Sequence, residues 1–537
     1  MLRRIHSWKL LASAAAISAL MAGCQSTMDK KTTANEPEVK NVIMMIGDGM
    51  GPQQIGLLHE YAVNAPDSIY RGQLTGMQKF MDAGVLGLSR HTPAYNLVVD
   101  SACSATQLAT GEPAPSEVIG VDKVGDHVET VLEKAKRMGK STGLVSDTRL
   151  THATPASFAA HRAHRSMENQ IAEDMLANQV DVMLSGGLRH WLPKSVNDKG
   201  DLYHQLEKQT EGAVQLKSKR KDDKNLLAEA DSMGYQLAFN RHQLDAAKGD
   251  KLLGLFNYSG MMNGIRYTHS KDDPKRTEPT LKEMTMKALD ILSRNEKGFF
   301  LMIEGGQIDW AGHDNDAGTM LHEMLKFDET INYVYEWVKN RQDTLVIITA
   351  DHETGGFGFS YSRSDIPEGE PLNGEAFKEA AYAPNFNFGS FETLSKLYQQ
   401  KMSFPDLFAQ YDGDKQSPEA LMKLVNANNA FPITLEQAKA VLEQEPNYFQ
   451  VDGHDYLSAK MFPKVNDFKS FYVYGQEVRH DLLGRAMAES QNIVWATGTH
   501  TSTPVPVVAF GPASATEGFS KMLHHTDIGQ LAKSAIH

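Results

Sequence analysis

The chain is predicted to fold as an α/β three-layer sandwich, with a mostly parallel central sheet, helices on both faces and a large inserted subdomain. Three observations predict this: short apolar runs of strand length, amphipathic helical stretches between them, and one long interval where the alternation stops.

The first run, Val42 to Ile46, has no polar residue in it, the pattern of a strand buried on both faces. Thr142 to Ser146, Val180 to Ser185, Phe299 to Ile303, Thr344 to Thr349 and Pro506 to Phe510 repeat it. Between them, Val128, Val131, Leu132, Ala135 and Met138 share one helical face ahead of Gly139, which ends the helix. Met167, Ile171 and Met175 make a second face; Met324, Phe327, Ile331, Val334 and Val338 make a third, spaced by three and four. Strands separated by helices pair in parallel through crossovers, which gives the sheet its expected direction. From 357 to 479 the rhythm fails: Gly, Pro, Asn, Phe and Tyr dominate, with helical pieces only near Leu394–Gln400 and Leu435–Leu442. A structureless loop of that length does not fit a compact domain, so this stretch reads as the inserted subdomain, leaving 39–356 and 480–537 as the core.

The N-terminus reads differently. Arg3, Arg4 and Lys9 precede an apolar run, Leu10 to Met21, that ends in Ala22, Gly23 and Cys24. A cationic start, a short apolar stretch and small residues make a secretory leader over 1–23, too short to span a bilayer. Cysteine after Ala-Gly resembles the lipobox of bacterial lipoproteins, implying cleavage before Cys24 and a lipid anchor on it, with 24–38 as a polar tether. The chain is then exported, periplasmic and held to the membrane. Cys103 is the one thiol left, so no disulfide is expected. Losing the three leader cations moves the formal charge from −13 to −16, a balance that argues against nucleic acid as partner.

Candidate chemistry gathers where strands end, the edge at which open α/β sheets bind ligands. NVIMMIGDGM ends in Asp48 between glycines; FFLMIEGGQIDWAGH supplies Glu304, Asp309 and His313; TLVIITADHETGG supplies Asp351 and His352; His500 precedes the last run. Each alone has an ordinary reading as a turn, cap or hydrogen-bonded pair. Together, carboxylates and imidazoles at one sheet edge repel or lie unpaired unless cations sit among them. A mixed oxygen and nitrogen set suits zinc, with magnesium at an oxygen-rich position. DSACSATQLATG places Ser101 where no histidine or lysine of the local sequence activates it. Coordination to a divalent cation lowers a hydroxyl's pKa without a basic side chain, and a helix capped by Ser101 and opening near Ala102 favours an incoming phosphate.

These motifs resemble the alkaline phosphatase family: IGDGMG at Ile46, DSACSATQLATG at Asp100, THATPASFAAH at Thr151, EGGQIDWAGH at Glu304, TADHETGG at Thr349 and GTHT at Gly498, in order from Asn41 to near the C-terminus. The resemblance implies a phosphate monoester hydrolase with a phosphoserine at Ser101, two zinc ions and one magnesium. Asp48, Asp351 and His352 would bind one zinc, Asp309, His313 and His500 the other, and Asp48, Thr154 and Glu304 the magnesium. His152 stands where the family varies between Asp and His, contacting water around the magnesium. Arg165, four residues after His161, matches the substrate-clamping arginine, with Arg162 its competitor. The 357–479 insertion resembles the crown-type elaborations of bacterial members, and a homodimer is implied.

Sulfatases share the fold but require a Cys or Ser followed by x-Pro-x-Arg, and Ala102, Cys103, Ser104 and Ala105 follow Ser101. Two-metal phosphodiesterases and phosphomutases, and a non-catalytic lipoprotein that binds metal or phosphate, are the alternatives.

Overall fold

The structure, a computed structural model, describes residues 38–413 and 416–537; the leader and Cys24 lie outside the described residues, as does the tether before Glu38. Ten strands form the central sheet. In chain order they are β1 (Asn41–Gly47), β2 (Val85–Arg90), β3 (Ser141–Arg149), β4 (Val182–Gly186), β5 (Gln236–Ala238), β6 (Leu252–Leu255), β7 (Phe299–Gly305), β8 (Thr344–Ala350), β9 (Val505–Phe510) and β10 (Met522–His524). Across the sheet the order is β10-β2-β9-β8-β1-β7-β3-β4-β6-β5. Only β9 runs against its neighbours, β2 and β8; the remaining pairs are parallel. The expected mostly parallel α/β sandwich is the observed one.

Side chains of successive residues in a strand leave opposite faces of the sheet, and here both faces are covered. Ile43, Met45, Ile303, Val346 and Ile348 join one apolar cluster; Val42, Met44, Ile46, Met302, Leu345 and Ile347 join the other. That is why the runs read as continuous rather than alternating.

The six expected strands are β1, β3, β4, β7, β8 and β9. The other four gave no such signal, for a physical reason: they are short or lie toward the sheet margins. In β2, Leu86 and Leu88 face solvent. The helix expected from Val128 instead begins at Val131, because Thr130 caps it and Glu133 closes a capping box. It stops at Gly139, whose φ of 78° places it in the left-handed region.

Among the described residues, 357–479 adds no strand to the large sheet. It supplies the helices Glu392–Tyr398, Phe404–Gln410, Pro418–Asn428 and Leu435–Leu442, and an antiparallel ladder of Gln444–Pro446 with Met461–Pro463. Its Leu394, Phe404, Leu421, Phe431 and Val441 pack in the same apolar cluster as Met324 and Phe327 of the long Ala317–Val338 helix.

Candidate active site

The central strands bring the candidate residues to one edge. Ile46 is level with Glu304 across β1 and β7, and Gly47 with Ala350 across β1 and β8, so Asp48 leaves the sheet between Glu304 and Asp351. Asp48 N–H donates to Gly305 O (3.2 Å). Gly49 follows with φ 70° and gives its N–H to Asp351 Oδ1 (3.1 Å). A Cβ there would lie 2.7 Å from Asp309 Cα, so the close approach requires glycine. A two-residue ladder, His500–Thr501 against Glu353–Thr354, delivers His500.

Ser101 is the first residue of the Ser101–Thr110 helix, and Asp100 caps it by accepting from Ala102 N–H and Cys103 N–H. The sequence reading placed the cap on Ser101; the structure places it one residue earlier and leaves the hydroxyl free for the site. Ser101 Oγ lies 3.2 Å from His352 Nε2 and 3.5 Å from Asp48 Oδ1. Arg165 reaches the same place. Its Nη1 is 3.2 Å from Asp100 Oδ2 and its Nη2 donates to His152 Nε2 (3.3 Å). Arg162 turns away to pair with Asp174.

Three groups of ligand-type atoms converge: Asp48 with Asp351 and His352, Asp309 with His352 and His500, and Asp48 with His152 and Glu304. His313 adds itself to the second, its Nε2 3.4 Å from Asp309 Oδ2 and 3.1 Å from His500 Nε2. Thr154 Oγ1 is buried and lacks a hydrogen-bond partner among the described residues. All eleven positions singled out in the sequence therefore meet at one edge of the sheet.

The donor set fits divalent cations on its own terms. Asp48 Oδ2, Asp351 Oδ2, Glu304 Oε1 and Thr154 Oγ1 are buried without hydrogen-bond partners among the described residues, a costly arrangement unless something positive meets them. The imidazoles make the same point. His313 Nδ1 faces Gly498 O (2.8 Å) and His500 Nδ1 faces Val99 O (2.8 Å), so each Nδ1 carries the ring proton. Their two Nε2 lone pairs then point at one another, and a cation between them removes the conflict. His152 differs. Because its Nε2 accepts from Arg165, its proton sits on Nδ1, which is buried and has no hydrogen-bond partner among the described residues.

Electrostatics agree. Burial raises Asp48 well above the ordinary carboxylate range, with Asp351, Asp309 and Glu304 adding to it. Burial and Asp309 push Asp351 up to about 7. Burial, with Asp147 adding to it, lifts Glu304 to about 8 despite hydrogen bonds from Ser146 and Thr148, and Thr154 lies close enough to act on it. Asp309 moves the other way: burial opposes ionisation, but His313, His500 and His352 outweigh it. Burial, then Arg149 and Arg165, keep His152 neutral.

Three residues escaped the sequence reading. Asp100 ties the arginine to the serine helix, and its place before Ser101 was a usable signal. Thr354 donates to Asp309 Oδ1 and lies 3.3 Å from His352 Nδ1. Tyr474 sets its ring edge-to-face with His313, centroids 5.1 Å apart; it comes from the irregular 357–479 stretch, where no pattern marked it.

Comparison with known proteins gives concordant findings. A family model described as alkaline phosphatase matches residues 39–537. The chain is 30% identical to alkaline phosphatase 4 of Bacillus subtilis (strain 168), covering 95% of this chain and 92% of that one. It is 36% identical to the repressible alkaline phosphatase of Saccharomyces cerevisiae, over 59% of this chain and 55% of the yeast protein. Among solved structures, a cold-active alkaline phosphatase from a psychrophilic Shewanella sp. aligns with TM-score 0.66 and 26% identity, covering 93% of this chain and 100% of that one. Thermus thermophilus alkaline phosphatase aligns with TM-score 0.70 and 23% identity over 93% and 92%, a likeness of fold.

Proposed function

The chain belongs to the alkaline phosphatase family, and from that premise we propose that it hydrolyses phosphate monoesters by way of a phosphoserine at Ser101. One observation carries the reading: the Ser101 hydroxyl stands at a helix N-terminus, 3.2 Å from His352 Nε2, inside a cluster that demands cations and beside the Arg165 guanidinium.

In this reading Asp48, Asp351 and His352 hold one zinc, Asp309, His313 and His500 hold a second, and Asp48, Thr154 and Glu304 hold a magnesium. Bound there, the ions supply Lewis acidity that lowers the pKa of a hydroxyl and neutralises charge on entering and departing oxygens. The protein's own groups do the positioning. Ser101 presents Oγ at a helix N-terminus, where the helix dipole favours a phosphoryl dianion. Arg165 grips two phosphoryl oxygens with its planar fork, and Asp100 fixes that fork against the serine helix. His152, neutral, steadies the other side of the guanidinium. The first transfer makes the Oγ–P bond as the P–O bond to the leaving alcohol breaks and the alcohol takes a proton. Water then attacks phosphorus, the Oγ–P bond breaks, and Ser101 recovers its hydroxyl as inorganic phosphate leaves.

The enzyme is, in the same reading, exported and lipid-anchored through Cys24, which the leader pattern supports, and homodimeric, which the family resemblance supports. Acid-quenched enzyme treated with a 32P-labelled monoester should carry label on Ser101, and Ser101→Ala should carry none while keeping its metal content. Label surviving in the alanine variant would overturn the assignment. Chelation should remove activity, and zinc with magnesium should restore it.

A further inference from the structure

The insertion brings two aromatic rings to the mouth of the site. Tyr474 meets the candidate ligand His313 edge-to-face at 5.1 Å and 88°, and Tyr456 meets Tyr474 at 5.1 Å and 83°. The Tyr474 phenol is within electrostatic reach of both Asp309 and Arg165, beside the candidate ligand His313. Tyr456, next outward, is 56% exposed and offers its ring to solvent.

Tyr474 is held in place from several sides. Tyr474 O accepts Glu477 N–H (2.7 Å) and Val478 N–H (3.2 Å), which start the Val478–Gln491 helix. That helix pairs His480 Nδ1 with Asp314 Oδ1 at 2.6 Å, the residue after His313. Thr497 Oγ1 donates to Phe471 O (2.9 Å), fixing the chain just before Tyr474 to the segment that carries His500. An aromatic surface ordered before binding loses little entropy when a ring stacks on it.

We propose that Tyr474 and Tyr456 form the binding wall for the leaving group, so that the favoured substrates are phosphate monoesters whose alcohol carries a planar aromatic ring. The proposal rests on the phosphatase reading and names its substrate class. Arg165 and Ser101 take the phosphoryl group, which is common to every monoester. In-line attack by Ser101 Oγ puts the leaving oxygen on the opposite side of phosphorus, in this proposal the side where Tyr474 packs against His313. A ring there gains the offset or edge-to-face contact that an alkyl chain lacks, worth about 0.5–1.5 kcal/mol or roughly two- to tenfold in kcat/KM.

Benzyl phosphate and butyl phosphate test this, because their leaving alcohols have similar acidity and only one carries a ring. The expected benzyl-to-butyl ratio of kcat/KM is about two to ten for the native enzyme. It should fall toward unity in Tyr456→Ala and Tyr474→Leu and persist in Tyr474→Phe. Phe388→Ala, at an exposed aromatic elsewhere in the insertion, should leave the ratio unchanged. Calorimetric binding of benzylphosphonate against butylphosphonate, neither of which is hydrolysed, supplies a second readout and should show the same preference. A ratio unmoved by Tyr456→Ala and Tyr474→Leu would overturn the wall. Turnover of neither ester, with the phosphonate preference intact, would instead overturn the phosphatase reading and leave the wall standing.

Discussion

Lys326→Met is the most demanding test of how the sheet edge is supported. Lys326 lies on the long helix with its side chain 3% exposed, and its Nζ is 2.9 Å from Asp147 Oδ2 and in contact with Glu323. Asp147 sits on β3 between Ser146 and Thr148, both of which hydrogen-bond Glu304, and its Oδ1 accepts Gly306 N–H (2.7 Å) at the turn leading to Asp309. At an effective dielectric constant of about 20, unit charges at that separation attract by about 6 kcal/mol gross. Methionine keeps the apolar stem and removes the charge. Burial already raises Glu323 against the pull of Lys326, so without the lysine it escapes by binding a proton, which at pH 7 costs about 4 kcal/mol from an unfolded value of about 4.3. The expected deficit in urea unfolding is therefore about 3–5 kcal/mol at pH 7, in the range for breaking a buried ion pair. Because the variant takes up a proton that the native fold does not, the deficit should shrink by about 1.4 kcal/mol per pH unit on acidification, to about 1–2 kcal/mol at pH 5. Adding Asp147→Asn should recover part of the loss. A deficit below about 1 kcal/mol at pH 7, or one equal at pH 7 and pH 5, would refute the reasoning.

Other consequences are simpler to measure. Arg165→Lys should lower kcat/KM by about 10- to 100-fold, since an ammonium loses the second charged hydrogen bond, and Arg165→Ala by more. Arg162→Ala, which breaks a partly exposed pair with Asp174 and a long bond to Gln170 O, should leave kcat/KM unchanged and cost under about 1 kcal/mol of stability. His322 offers a pH test of how the insertion is fastened: its Nε2 is 2.9 Å from Tyr398 O and its Nδ1 is 2.9 Å from Thr268 Oγ1. Burial depresses it to about 4, so its contribution is full above the unfolded value near 6.5 and is lost as pH falls toward 4. Native protein should lose about 2 kcal/mol through this group between pH 7.5 and pH 5, and His322→Gln should not show that increment. Equal pH slopes for the two proteins would rule it out. Gly49→Ala should abolish activity and lower metal retention, because the added methyl meets Asp309 at a left-handed turn.

Much of the site was legible because strand ends leave a linear trace. An apolar run followed by Gly-Asp-Gly, Glu-Gly-Gly or Asp-His marks both a buried strand and the polar edge it reaches, and Asp48, Glu304, Asp351 and His352 all stand there. The choice of Arg165 over Arg162 had rested on spacing; contacts with Asp100 and His152 on one side and Asp174 on the other now separate them. Strands such as β2 were invisible because only part of their surface is buried, so apolar and exposed positions mix.

The sequence by itself determined the layered α/β class, the central strands and the residues able to bind cations, because local periodicity and residue chemistry are written along the chain. Tertiary structure alone decided which imidazole nitrogens face each other, that Asp100 rather than Ser101 caps the helix, and that Tyr474 overlies His313. Those are contacts between segments far apart in sequence or matters of single-residue geometry. They are set by how the sheet and the 357–479 stretch pack, which no local pattern encodes.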